Sequence, residues 1–205
     1  MSAADEVLDV VDREDRVTGR APRGEVYAAG LIHRCVFVLA RDGRGRIFTH
    51  RRTDSKLVFP SFYDMFVGGV VGAGESYAQA ALREAEEELG VTGLGRPEPL
   101  FKFLYEGPGG AWWSYVHEVR CELPVRPQAE EVAWHAWLPE EEVARRVADG
   151  SWPWVPDGLE AYRRLLEFRG SPDGGAAAGG GAAPGGGSAP ERTRSGRRLT
   201  WTPVD

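Results

Sequence analysis

The chain has 205 residues, 31 acidic and 25 basic, for a formal net charge of −6. That length suits one domain with appendages or two small domains, and an apolar fraction of 42% is normal for a chain that buries a core. The acidic balance argues against stable nucleic-acid binding by phosphate neutralisation, and the two cysteines, Cys35 and Cys121, cannot build a disulfide framework. In chain order, the start carries no basic end followed by an apolar run, so no secretory signal is expected. Val7 to Val11 is a short apolar run that reads as an edge strand. Arg34 to Arg41 is apolar on both faces, as a central strand would be. Asp42-Gly43-Arg44-Gly45 is turn chemistry, and Ile47 to Arg51 reads as the returning strand of a hairpin. Phe66 to Val71 is a third strand candidate. Ser76 to Leu89 reads as a helix that Ser76 caps and Gly90 ends.

Ala111 to Leu123 alternates, with Trp113, Tyr115, Val119, Cys121 and Leu123 on one side. Val132 to Leu138 is another strand. Pro139 to Ala148 and Pro156 to Phe168 read as helices, each opening at a proline. Strands and helices mix without strict alternation, which predicts an α/β sandwich rather than a doubly wound sheet. Residues 171–190 hold eight Gly, six Ala and three Pro with no aromatic residue, a composition expected of a disordered linker. The last stretch, to Asp205, adds four arginines and Trp201 and reads as an Arg-containing tail. The domain boundary is therefore placed at 170, leaving residues 1–170 with a charge of −7. No apolar run reaches the ~20 residues that span a bilayer. The expectation is a soluble, cytoplasmic protein whose oligomeric state stays open, a homodimer included.

The segment that carries chemistry runs from Gly69 to Val91. On a helix, Glu84, Glu87 and Glu88 share one face, because positions i, i+3 and i+4 are neighbours. Ala78, Ala81, Leu82, Ala85 and Leu89 form a separate, core-facing stripe. Three carboxylates on one face repel, and Arg83 cannot balance all three. A divalent cation can, and hard Mg²⁺ favours carboxylate oxygens, water and phosphates. Gly68, Gly69, Gly72 and Gly74 precede the helix and let the backbone turn tightly beside a ligand. Gly69, Glu75, Arg83, Glu84, Glu87, Glu88 and Gly90 match the Nudix box at every fixed position. At residue frequencies of roughly 7%, chance gives seven such matches on the order of 10⁻⁸ per starting position. The sequence therefore resembles the Nudix hydrolase family, with Ala85 standing where a bulkier apolar residue is usual.

That resemblance implies an α/β/α sandwich with a mixed sheet and Mg²⁺-dependent hydrolysis, Mn²⁺ substituting, of a small-molecule diphosphate. The substrate class it implies is a nucleoside diphosphate linked to another group. Carried over by position, Glu84, Glu87 and Glu88 hold the metal, assisted by the Gly68 carbonyl. Arg83 orients the carboxylates and Glu75 braces the loop. The general base is not fixed within the family. Glu84 and Glu87 are box candidates, and Glu131, with Glu130 beside it, is the candidate from a later loop. Arg51 and Arg52 could meet substrate phosphates, and Trp112 or Trp113 could stack on a base or pack in the core.

A narrower likeness, carried by the opening strand, Arg23, His33 and His50-Arg51-Arg52, points to a branch related to isopentenyl diphosphate isomerase. That isomerase needs a Cys and a His near the start of its box, where this chain has Gly68 and Val70. Three functions stay in view: a pyrophosphohydrolase, a Nudix-fold protein that binds a nucleotide without cleaving it, and the isomerase.

Overall fold

A computed structural model describes residues 3–56, 58–107 and 109–171. The expected linker and tail, apart from Ser171, lie outside the described residues. The chain opens with β1 (Val7–Val11), β2 (Val17–Pro22) and the short α1 (Arg23–Ala28), then β3 (His33–Arg41) and β4 (Ile47–Arg52). Next come β5 (Tyr63–Asp64), β6 (Val67–Val70), α2 (Tyr77–Leu89), β7 (Glu98–Gly107) and β8 (Gly110–Arg120). β9 (Val132–Leu138), α3 (Glu140–Asp149) and α4 (Pro156–Gly170) close the described chain.

The alternation along β3 generates the layers. Val36, Val38 and Ala40 pack with Ala80, Ala81, Ala85 and Leu89 of α2. The residues between them, Phe37 and Leu39, pack with Val143 of α3 and Ala161, Tyr162 and Leu165 of α4. A strand buried on both faces reads as a continuous apolar run, which is why it was legible in the sequence. The result is the expected α/β/α sandwich. Its sheet is mixed: β3 runs parallel to β8 and antiparallel to β6, and β8 pairs with β7.

The expected hairpin of β3 and β4 is only a start. The two strands pair at Arg41 and Ile47 and then diverge. β6 takes the edge of β3 from Cys35 to Val38, and β5 takes the facing edge of β4 at His50 and Arg51. β4 finds its long partner in β9, from Ile47 to Arg52. The divergence opens a wedge in the sheet, and the β5–β6 segment that leads into the glycine loop and α2 occupies it. Two boundaries also shift. The strand expected to reach Leu123 ends at Arg120, and Leu123 is exposed, since Pro124 cannot donate to a ladder. On α2 Ala80 joins the expected Ala81, Ala85 and Leu89 as fully buried, while Ala78 and Leu82 are half-buried.

Candidate active site

α2 is built to hold its position. Ser76 and Gln79 form a reciprocal capping box, worth ~1 kcal/mol. At the other end Gly90 takes a left-handed turn at φ 63°, and a Cβ there would lie 1.8 Å from the Arg126 carbonyl. Leu89, fully buried, contributes roughly 1.5–3 kcal/mol. The helix lies against β3 and β6 and brings its carboxylates over the first glycines of the box.

Those glycines are required by close approach. A Cβ on Gly69 would stand 2.6 Å from Glu84 Oε2, and one on Gly68 would stand 2.0 Å from the Val36 carbonyl oxygen. The Gly68 N–H also points at Glu88 Oε2, 3.4 Å away. Arg83 is the brace. Its Nε and Nη2 donate to the two oxygens of Glu75 at 3.0 and 2.9 Å, its Nη1 to Glu84 Oε1 at 2.6 Å, and its Nη2 to the Val70 carbonyl at 3.2 Å. Glu75 also accepts the Gly72 N–H at 3.0 Å. Although burial opposes it, Arg83 and Gly72 hold the Glu75 carboxyl below its usual range. Glu75 thus links Arg83 to the Gly72 turn, and Arg83 bridges Glu75 and Glu84. The contact of Arg83 with Glu87 is the longest of its contacts, at 3.9 Å, and Glu87 is the most exposed of the three helix carboxylates.

Glu88 is different. Burial, then the charges of Glu84, Glu131 and Asp64, push its carboxyl up to about 8, with only Lys56 acting against them. Glu84 is also raised by burial, against the pull of Arg83. Among the described residues, no three His, Cys, Asp or Glu side chains are gathered into a ready metal cluster. Glu84 and Glu88 come together over Gly68 and Gly69, while Glu87 stands toward solvent.

Asp64 and Asp157 were not visible as site residues. Burial, followed by the charge of Asp157, pushes Asp64 up to about 7, and its Oδ1 accepts the Phe66 N–H at 3.0 Å. Asp157, in the first turn of α4, is raised by burial too. Gly158 lets the two elements meet, since a Cβ there would lie 2.6 Å from Asp64 Oδ1. In the sequence, an Asp after a helix-opening proline reads as ordinary first-turn charge, and an Asp two residues before an apolar strand carries no signal.

Glu131 lies at the opening of β9, bridged to Lys56 Nζ at 2.7 Å. The two arginines offered for phosphates differ in their surroundings. Arg52 Nε donates to the Val58 carbonyl at 3.2 Å and props the loop after β4. Arg51 Nε is buried without a partner, on a residue set in register between Tyr63 and Trp134. His33 is buried between the rings of Tyr27 and Trp112, at 5.4 and 5.8 Å, as a packing histidine would be. Trp112 joins the core and Trp113 donates to the Asp12 carbonyl at 3.1 Å. Cys35 faces Val70 in register, and burial, reinforced by Asp157, drives its thiol far up. Such a thiol stays protonated.

The NUDIX domain family model matches residues 31–158. An uncharacterized Nudix hydrolase of Streptomyces coelicolor is 66% identical over 172 residues, covering 83% of this chain and 94% of that protein. One from Rhodococcus erythropolis is 40% identical over 166 residues, covering 77% and 90%. A crystal structure from Deinococcus radiodurans superposes with a TM-score of 0.65 at 32% identity, covering 78% of this chain and 98% of its own.

Proposed function

The chain belongs to the Nudix hydrolase family and is a pyrophosphohydrolase by that membership; from this premise we propose that it cleaves a diphosphate linkage with a divalent cation, Mg²⁺ first and Mn²⁺ in its place. One observation carries the reading. Glu84 and Glu88 are half-buried carboxylates laid over a glycine backbone, and Glu88 has no cationic hydrogen-bond partner among the described residues. Buried charge without compensation is costly. A hard cation with oxygen ligands is the chemistry that fits such a donor set. Glu84, Glu87 and Glu88 would hold the ion, with the Gly68 carbonyl beside them. When bound, it supplies charge neutralisation for the diphosphate and makes water a nucleophile near neutral pH.

The chain's own residues do the rest. Arg83 keeps Glu84 aimed at the glycine loop through a contact of 2.6 Å. Glu75 anchors Arg83 and the Gly72 turn, so the loop cannot drift from the helix. Glu131 stands at the rim as the candidate to take the proton of the attacking water, once released from Lys56.

The substrate we favour is a nucleoside diphosphate joined to a second group, handled by a protein without a membrane-crossing helix among its described residues. A hydrolysis screen over nucleoside diphosphate derivatives and isoprenoid diphosphates, with and without Mg²⁺, tests it. Metal-dependent cleavage between the two phosphorus atoms, giving a nucleoside monophosphate and the phosphorylated second group, is the expected result. Binding without turnover would make the chain a nucleotide-binding Nudix protein instead. Isomerised product from isopentenyl diphosphate would favour the isomerase, for which Gly68, Val70 and a protonated Cys35 supply no acid–base pair.

A further inference from the structure

No sequence pattern marks Lys56, yet the loop that carries it is elaborately held. The segment between β4 and β5 closes on itself: the Arg52 N–H donates to the Phe62 carbonyl at 2.9 Å and the Ser61 N–H to the Thr53 carbonyl at 3.2 Å. Phe59 and Ser61 sit at φ 50° and 62°, a conformation that non-glycine residues hold at a cost of order 1 kcal/mol each. The loop is then tied to the segment before β9. The Thr53 N–H donates to the Glu131 carbonyl at 3.1 Å and the Thr53 hydroxyl to the Glu130 carbonyl at 2.9 Å. The last tie is Lys56 Nζ to Glu131 Oε1, at 2.7 Å.

Stability does not account for that last tie. Lys56 and Glu131 keep 24% and 40% of their side chains exposed, and so open a bridge contributes only ~0–1 kcal/mol. What the bridge does is station an ammonium at the rim of the carboxylate site. The charge of Lys56 acts on the half-buried Glu88, against those of Glu84, Glu131 and Asp64. Of the two arginines offered for phosphates, Arg52 is engaged with the Val58 carbonyl, and the Nε of Arg51 is buried without a partner among the described residues. A compact ammonium on a flexible stem can exchange one oxygen anion for another with little rearrangement.

We propose that Lys56 is a substrate-binding residue: on arrival of the diphosphate its ammonium leaves Glu131 for a phosphate oxygen, and Glu131 is the internal competitor that parks it. The proposal rests on the pyrophosphohydrolase reading for its substrate class. It requires that the two partners of the bridge, when removed, act in opposite directions. Binding of methylenediphosphonate, a non-hydrolysable diphosphate, to the full chain in Mg²⁺ is measured by calorimetry. K56Q should weaken binding about tenfold, K56R should restore most of it, and E131Q should tighten it by about two- to fivefold. A purely structural bridge would move K56Q and E131Q the same way, with matching losses of thermal stability, and that result overturns the proposal. So does equal affinity in wild type and K56Q, or no binding by wild type. Wild type that binds methylenediphosphonate through Lys56 but hydrolyses none of the screened diphosphates overturns the hydrolase reading and leaves the role of Lys56 standing.

Discussion

The two ends of α2 treat charge in opposite ways. Near its start, Glu75 and Glu84 are matched by Arg83, which binds both and ties them to the Val70 carbonyl. Near its end, the half-buried Glu88 has one long contact to a backbone N–H, and loss of water, then the charges of Glu84, Glu131 and Asp64, raise its pKa. The first arrangement is complete within the protein. The second leaves a half-buried carboxyl without a cationic hydrogen-bond partner among the described residues, the arrangement that the proposed cation would complete. On the proposed reading, charge compensated internally serves architecture and charge left over serves binding.

The sharpest way to break this contrast is Glu88→Gln. Turnover should fall by about 10³-fold, roughly 4 kcal/mol of transition-state stabilisation, while the thermal midpoint without metal at pH 7 stays level, since a carboxyl pushed up to about 8 is already largely neutral there. Stabilisation by Mg²⁺, about 2.7 kcal/mol at a hundredfold excess over Kd, should vanish with it. Full activity in this variant, or in metal-free enzyme, sinks the mechanism. Gly69→Ala comes next. Its Cβ would press on Glu84 Oε2 at 2.6 Å, and a displacement of that kind is expected to cost about 10²-fold in kcat. Wild-type kinetics would show that Glu84 can move without consequence. Arg83→Gln should do the reverse of Glu88→Gln. It strands Glu75 and Glu84, and denaturant unfolding should show a loss of ~1–2 kcal/mol, less than for a fully buried brace because Arg83 is 41% exposed.

The helix end of this site was legible because its chemistry is periodic. Gly69, Glu75, Arg83, Glu84, Glu87 and Glu88 sit at fixed spacing on one loop and one helix, and local geometry alone gathers them. β3 was legible because burial on both faces leaves an unbroken apolar run. β2 was not, since its residues are mostly exposed and include Gly19 and Pro22. Lys56, Asp64 and Asp157 come from three separate segments, brought together by the divergence of β3 from β4. No spacing rule encodes that divergence, because long-range pairing to β6, β5 and β9 decides it. Glu87 shows the converse limit. It belongs to the motif, yet the helix turns it to solvent, where its place in the site depends on what it meets there.

The same contrast between compensated and stranded charge extends to His50, and it predicts the smallest effect. His50 is 4% exposed, its Nδ1 has no partner among the described residues, and Asp64 faces it in register across β4 and β5. Burial, then the positive charges of Arg52, Lys56 and His135, pushes the imidazole down to about 3. Unfolded, it takes up a proton near 6.5. Between those values the unfolded chain binds more protons, so this group's contribution to stability is whole above pH 6.5 and drains as pH falls toward 3. Asp64 acts with the opposite sign: its carboxyl, pushed up to about 7, is best tolerated when neutral, so its contribution is lost as pH rises through 7. His50→Leu removes only the first of these. Urea unfolding between pH 6.5 and 4 should then show a shallower loss of stability, by up to ~1 kcal/mol per pH unit, with little change at pH 8. Parallel curves for variant and wild type would mean that His50 gains a proton and a partner inside the fold, and that the wedge between β3 and β4 tolerates a buried cation.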